Sequence, residues 1–194
     1  MIGDNSFLPK NKETIEKKEV PMQTTEVVSV YTPQYLSAIL EIDKESFEEQ
    51  YEDVEEYYRK ALENQENINV FFKDGEKLVG YLLAIPHSAA YEEMKKDDPE
   101  MKDDSKRFYI ETCAVLPEYR KGTGFLRMMH KVIEEAERRG INKFSMHARV
   151  ENGLSETLQK YFGKMFTTVR RIENWPYYYN GEPTDYLEGT YEKK

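Results

Sequence analysis

The sequence predicts a mixed α/β (α+β) fold built as one domain, and two observations carry that prediction. Along the 194 residues the apolar period switches between two and 3.6, giving the order β, α, α, β, β, β, α, β, α, β, β. Hydrophobic residues make up 39% and aromatics 13%, including fifteen Tyr and nine Phe, enough for a packed core beneath a heavily charged surface. Regular βαβ alternation is absent, which argues against a doubly wound parallel sheet.

Residues 1–26 are polar, carry two Pro and show no sustained period, so they are expected to form a flexible N-terminal arm, with residues 27–194 as the folded domain. VVSVY from Val27 reads as a strand. Leu36, Ile39, Leu40 and Phe47 recur at helical spacing, and Val54, Tyr57, Tyr58, Ala61 and Leu62 repeat the pattern in a second helix. INVFFKDGEKLVGYLLAI then folds back on itself at Asp74-Gly75, a hairpin signal. The charged segment from His87 to Arg107 has no strand period and is expected to be a loop and a candidate lid. FYIETCAV is a buried strand, and Phe125 to Arg139 a helix whose apolar face is Leu126, Met129, Val132, Ile133 and Ala136, closed by Gly140. The strand KFSMHARV, a helix from Leu154 to about Phe162, and the strands FTTVRRI and TDYLEGTY complete the chain.

Charge narrows the partners. Lys and Arg number 28 against 37 Asp and Glu, a net charge of −9 with an isoelectric point near 5.1, so the chain lacks the positive field that gathers nucleic acid or an anionic membrane. One Cys cannot form an intrachain disulfide, and no Cys/His spacing suggests zinc. With no membrane-length apolar window and no signal-peptide stretch, a cytoplasmic location is expected.

The chemistry concentrates between Phe108 and Arg139, where a strand, the basic glycine-containing turn Arg120-Lys121-Gly122-Thr123-Gly124 and an amphipathic helix follow one another. Such a junction aims backbone N–H groups and the positive end of a helix dipole at one point, an arrangement suited to a pyrophosphate. A GxG pair alone more often makes only a tight turn. Here Arg120 and Lys121 add positive charge to an acidic chain, and Arg127 follows on the helix. GxGxxG is incomplete and no GKS or GKT follows, which disfavours Rossmann and Walker A sites.

In these segments the chain resembles the GNAT superfamily of acyl-CoA-dependent N-acetyltransferases. Val115-Leu116-Pro117-Glu118-Tyr119-Arg120 follows that family's Val-x-Pro-x-x-Arg, with Gly122 and Gly124 arriving one residue early. Asn152, Ser155, Leu158 and Gly163 follow its Asn-x-x-Ala-x-x-Leu-Tyr-x-x-x-Gly segment, with Gln159 in the Tyr place. Trp175-Pro176-Tyr177-Tyr178-Tyr179 looks like the tyrosine hairpin of ribosomal-protein and other N-terminal peptide acetyltransferases, although a rigid aromatic turn would have the same composition.

The resemblance implies a central mixed, mostly antiparallel sheet flanked by helices, acetyl-CoA as donor, and direct attack by an amine in a ternary complex. It places the cosubstrate along Cys113, Ala114 and Val115, at Arg120, Lys121, Gly122, Thr123, Gly124 and Phe125, and near Asn152 and Ser155. A protonated amine needs a base, and Glu111 on the same strand is the candidate; a solvated strand carboxylate is the alternative. With Gln159 unable to serve as an acid, Tyr161 is kept as the candidate general acid, although it lies about 200° around the helix from the missing Tyr. Tyr178 and Tyr179 are the candidate acceptor-binding residues. A peptide or protein amine is the first choice of acceptor. A polyamine or other small cationic amine is the second, since Glu41 to Glu56 carries nine acidic residues against one Lys. A non-catalytic acyl-CoA-binding protein is the alternative from another class. Cys113 reads as packing, and His87, His130 and His147 as structural or surface residues, His147 alone lying near the expected site.

Overall fold

The computed structural model describes residues 23–47, 53–177 and 181–191. A seven-stranded sheet runs in the order β1-β2-β3-β4-β5-β7-β6. The strands are β1 (Gln23–Val28), β2 (Ile68–Asp74), β3 (Lys77–Pro86), β4 (Arg107–Val115), β5 (Lys143–Arg149), β6 (Phe166–Ile172) and β7 (Thr184–Thr190). The helices are α1 (Pro33–Ser46), α2 (Val54–Glu63), α3 (His87–Met94), α4 (Gly124–Arg138) and α5 (Leu154–Phe162). All neighbouring strands are antiparallel except β4 and β5.

Alternation along the strands divides the core into two layers. On β2, Phe71 meets Tyr35 of α1 edge to face at 4.9 Å, whereas its neighbour Phe72 lies against Gly124 at the head of α4, so α1 and α4 cover opposite faces. Both rings are fully buried. Local signals start and stop the elements: Thr32 caps α1 by accepting the Tyr35 N–H at 3.2 Å, Pro33 opens that helix, and Gly75 at φ 59° makes the β2–β3 turn.

Two expectations need correction. The sheet begins at Gln23, with Gln23–Glu26 paired to β2, so the folded domain starts inside the expected arm; the rest of that arm lies outside the described residues. Nor is the charged segment wholly a loop. His87–Met94 forms α3, and Ala90, Met94 and Met101 pack with Tyr109, Trp175 and Tyr186 in a second apolar cluster. His87, Ala90 and Met94, buried at helical spacing, outweigh the surrounding charge, and a lid hinged at Pro86 would have to leave that cluster.

The pairing of β4 with β5 positions the site. Their ladder covers only Arg107–Tyr109 against Lys143–Ser145, although both strands continue. From Ile110 onward β4 has no strand partner on that side among the described residues, and a gap opens between the two strands.

Candidate functional site

Glu111 owes its position to an irregular ladder. Thr112 pairs with Leu83 and Ile110 with Ala84, so Glu111 is the extra residue of a bulge, opposite no residue of β3. Its Oε1 accepts a hydrogen bond from the Tyr57 hydroxyl of α2 at 3.2 Å, and its Oε2 is buried without a hydrogen-bond partner. Burial is the main cause that lifts its pKa from 4.5 to about 7; the charge of Glu93 on α3 adds to the rise, and the Tyr57 hydrogen bond opposes it. A carboxylate poised at neutral pH, with an open lone pair, is suited to take a proton.

Around the apex of the gap lies a second assembly. Tyr109 is 2.8 Å from His147 Nδ1, and His147 Nε2 is 3.1 Å from Asp98. Arg170 of β6 donates to both oxygens of Asp98 at 2.7 and 2.6 Å, and the His147 ring stacks on Trp175 with centroids 4.0 Å apart. Burial pushes the Asp98 carboxyl up, but hydrogen bonds from His147 and Arg170 outweigh it and hold the pKa down to about 2. Burial depresses the His147 pKa, against the pull of Asp98. Sequence spacing gives no sign of this chain, whose members come from the segment after α3, from β4, β5 and β6, and from the loop before β7.

At the head of α4 the backbone is left open. Pro117–Tyr119 forms one 3₁₀ turn, the Gly122 N–H bonds to the Tyr119 carbonyl at 3.1 Å, and the first helical bond is from the Arg127 N–H to the Thr123 carbonyl. Thr123 makes no side-chain cap, so the N–H groups of Gly124, Phe125 and Leu126 head the helix without intrahelical acceptors. Lys121, Gly122 and Thr123 are exposed beside them, and Phe125 is half-buried. These orphaned donors fit a pyrophosphate. The open edge of β4 through Cys113, Ala114 and Val115 fits an extended amide-bearing chain.

Several expected site residues have other partners. The Arg120 Nε donates to the Val115 carbonyl at 2.9 Å, while its Nη2 donates to Ser46 Oγ at 3.2 Å and reaches the Glu45 carbonyl at 3.4 Å; it ties β4 to the end of α1. Arg127 donates to the Gln23 carbonyl at 2.7 Å. Asn152 Oδ1 accepts the Leu154 N–H at 3.0 Å at the start of α5. Ser155 is buried and donates to Asp185 at 2.5 Å, with Gln159 donating to Ser155 at 3.0 Å. Tyr161 is 57% exposed on α5, with Lys160 over its ring. No described contact brings it to Glu111. Burial pushes the Cys113 thiol up to about 12, consistent with packing. In the acidic run, Asp43 is buried and accepts from Tyr58 and Tyr81, so it is not a surface charge. Tyr178 and Tyr179 lie outside the described residues. Among those described, no His/Cys/Asp/Glu group could hold a metal, and no helix is long and apolar enough to cross a membrane.

Gly124 serves packing. A Cβ there would lie 2.4 Å from the Phe72 ring, whereas at Gly122 it would approach only the Tyr119 carbonyl, at 3.4 Å. Gly124→Ala is therefore expected to lower stability by about 1–3 kcal/mol through overpacking. Gly122→Ala should stay within about 0.5 kcal/mol of the parent. Urea titrations of both variants check the contrast; equal costs would contradict the placement.

Residues 36–163 match the acetyltransferase (GNAT) family. No curated protein matches the chain by sequence. Among solved structures, the ribosomal-protein-S18-alanine N-acetyltransferase from Escherichia coli is similar at 17% identity and TM-score 0.60, covering 86% of this chain and 91% of that one. NAA60 of Arabidopsis thaliana in complex with acetyl-CoA aligns at 20% identity and TM-score 0.65, over 88% and 98%. An aminoglycoside 6'-N-acetyltransferase complexed with coenzyme A aligns at 15% identity and TM-score 0.65, over 88% and 98%.

Proposed function

The chain belongs to the GNAT acetyltransferase family and is thus an acetyl-CoA-dependent N-acetyltransferase by class, and we propose that its acceptor is the α-amine of a peptide or protein, attacking directly in a ternary complex. The observation that carries this reading is Glu111, a buried carboxyl on the open half of β4 with a pKa near 7. An α-ammonium titrates near 8 and a lysine ammonium near 10.4, so passing a proton to Glu111 costs about 1.4 kcal/mol from the first and about 4–5 kcal/mol from the second. The α-amine is the better match.

When bound, acetyl-CoA supplies an acetyl thioester already activated toward amines. The α4 N–H groups, with Lys121, Gly122 and Thr123, would hold its pyrophosphate, and the β4 backbone at Cys113 to Val115 its pantetheine arm. Glu111 takes the proton of the acceptor at Oε2, while Tyr57 fixes Oε1. Tyr109 and His147, at the apex of the gap, are buried and hydrogen-bonded to one another, and they tie β4 to β5 there.

The test is a pair of peptides incubated with acetyl-CoA and read by mass spectrometry. One has a free α-amine and no lysine; the other is blocked at its α-amine and contains lysine. Acetylation of the first well ahead of the second is expected. Equal or better modification of the blocked peptide overturns the α-amine assignment.

A further inference from the structure

One buried carboxyl of the acidic run is held by hydroxyls and not by a cation. Asp43, on α1 and only 4% exposed, accepts hydrogen bonds at Oδ1 from the Tyr58 hydroxyl of α2 and from the Tyr81 hydroxyl of β3, the latter at 3.0 Å. The two hydroxyls lie 2.6 Å apart, and both rings are buried. Among the described residues no Lys, Arg or His forms an ion pair with Asp43. Burying a carboxyl is costly, and apolar side chains of the same volume would fill the position without that cost. What the polar knot adds is direction. It ties single atoms of α1, α2 and β3 together, whereas apolar contacts leave a helix freer to turn or slide.

Tyr57 depends on that direction. It is the neighbour of Tyr58 in α2, its ring stands edge to face on the Tyr58 ring with centroids 5.0 Å apart, and its hydroxyl donates to Glu111 Oε1 at 3.2 Å. Its side chain is 40% exposed, so burial does not hold it in place. Within residues 54–58, the first half of α2, Tyr58 is the only buried residue, and Asp53 before them supplies no side-chain cap. Turning a helix by about 10° moves groups at the roughly 5–6 Å radius of its side chains by about 1 Å. A displacement of that size along the bond carries the Tyr57 hydroxyl out of hydrogen-bonding range of Glu111.

We infer that Asp43 is a positioning residue for Glu111: through Tyr58 it fixes the turn of α2 that presents the Tyr57 hydroxyl to the Glu111 carboxyl. The inference rests on Glu111 as the proposed base and adds the device that keeps Oε1 engaged, leaving Oε2 to take the proton. The ionisable groups that face Glu111 are Tyr57 on α2, Glu93 on α3 and Tyr177 before β7. The Tyr57 hydrogen bond lowers the Glu111 pKa and the Glu93 charge raises it, so losing the Tyr57 contact moves the carboxyl to a higher midpoint.

The experiment compares the full chain with Tyr58→Phe, Tyr57→Phe, the double variant and Asp43→Ala. The midpoint of the Glu111 carboxyl is read in each by infrared difference against the matching Glu111→Gln protein, with no acceptor present. Tyr57→Phe is expected to raise the midpoint by about half to one pH unit, the worth of one hydrogen bond. Tyr58→Phe and Asp43→Ala should raise it similarly although neither residue touches Glu111, and the double variant should go no further than Tyr57→Phe alone. Asp43→Asn keeps an oxygen to accept from Tyr58 and should restore most of the parent midpoint. Thermal melts establish which variants fold. Two of them break the link, so either one that folds carries the test. A lower Tm with the midpoint left where the parent has it makes the knot structural only and overturns the inference. So does a Tyr58→Phe shift that adds in full to that of Tyr57→Phe. Turnover separates the inference from the base assignment: with Glu111 as base, the rising limb of kcat/KM moves with the infrared midpoint. A midpoint that moves while the limb stays removes Glu111 as the base and leaves its positioning by Asp43 standing.

Discussion

Replacing Glu111 with Gln is expected to lower kcat by about 10²–10⁴ while leaving acetyl-CoA affinity nearly unchanged, because a base acts in the transition state and not in cosubstrate binding. In the parent protein kcat/KM should rise as pH increases through about 7, where Glu111 loses its proton, and the variant should lose that limb. Stability should move in the opposite direction from activity. The Glu111 pKa is raised in the fold from 4.5 to about 7, so the native state holds a proton that the unfolded chain has released. The stability linked to that proton is present below about pH 4.5 and is lost as pH rises through 7, up to about 3 kcal/mol in all. Glu111→Gln cannot ionise and should therefore melt higher than the parent at pH 8. Unchanged turnover across the pH range would remove Glu111 from the mechanism.

Arg170→Met should be the most damaging of the substitutions considered for stability. Asp98 has a side chain only 1% exposed, and the guanidinium that engages both its oxygens would be gone. Removing one member of a buried pair costs about 3–5 kcal/mol, because the other charge stays buried without it. For a domain of this size that is roughly 10 °C in Tm. The sign with pH follows from the depressed Asp98 pKa near 2: its contribution is full above about pH 4 and is lost as pH falls toward 2. With Arg170 removed, that acid loss should begin at higher pH. Combining Arg170→Met with Asp98→Asn should recover part of the loss by removing the stranded charge. An unchanged Tm in the single variant would contradict the burial of Asp98.

Sequence reasoning reaches what local patterns encode. The order of strands and helices, the Asp74-Gly75 turn and the strand, basic turn and helix around Gly122 are short-range signals, and the structure contains them. Glu111 could be singled out because its strand also carries the glycine turn. Its bulge could not, since two-against-one pairing is a property of β3 and β4 together. The chain from Tyr109 through His147 and Asp98 to Arg170 spans 73 positions and has no characteristic spacing. The short helix His87–Met94 was hidden by its company: His87, Ala90 and Met94 carry the helical rhythm, but the charges that follow resemble a solvated loop. Motif reading assigns Ser155 and Asn152 to the cosubstrate, whereas in the fold Ser155 meets Asp185 and Asn152 turns the chain into α5. Gly124 is the reverse case, a glycine read for phosphate approach that is required by the Phe72 ring beneath it.

The proposed transfer depends most on the protonation of one carboxyl, and that can be measured without any acceptor. Difference infrared spectra of the parent protein against Glu111→Gln, recorded from pH 4 to pH 9, isolate the Glu111 carbonyl stretch. A protonated carboxyl band that disappears with a midpoint near pH 7 is the predicted result. A carboxylate already ionised with an ordinary midpoint near 4.5 would contradict it.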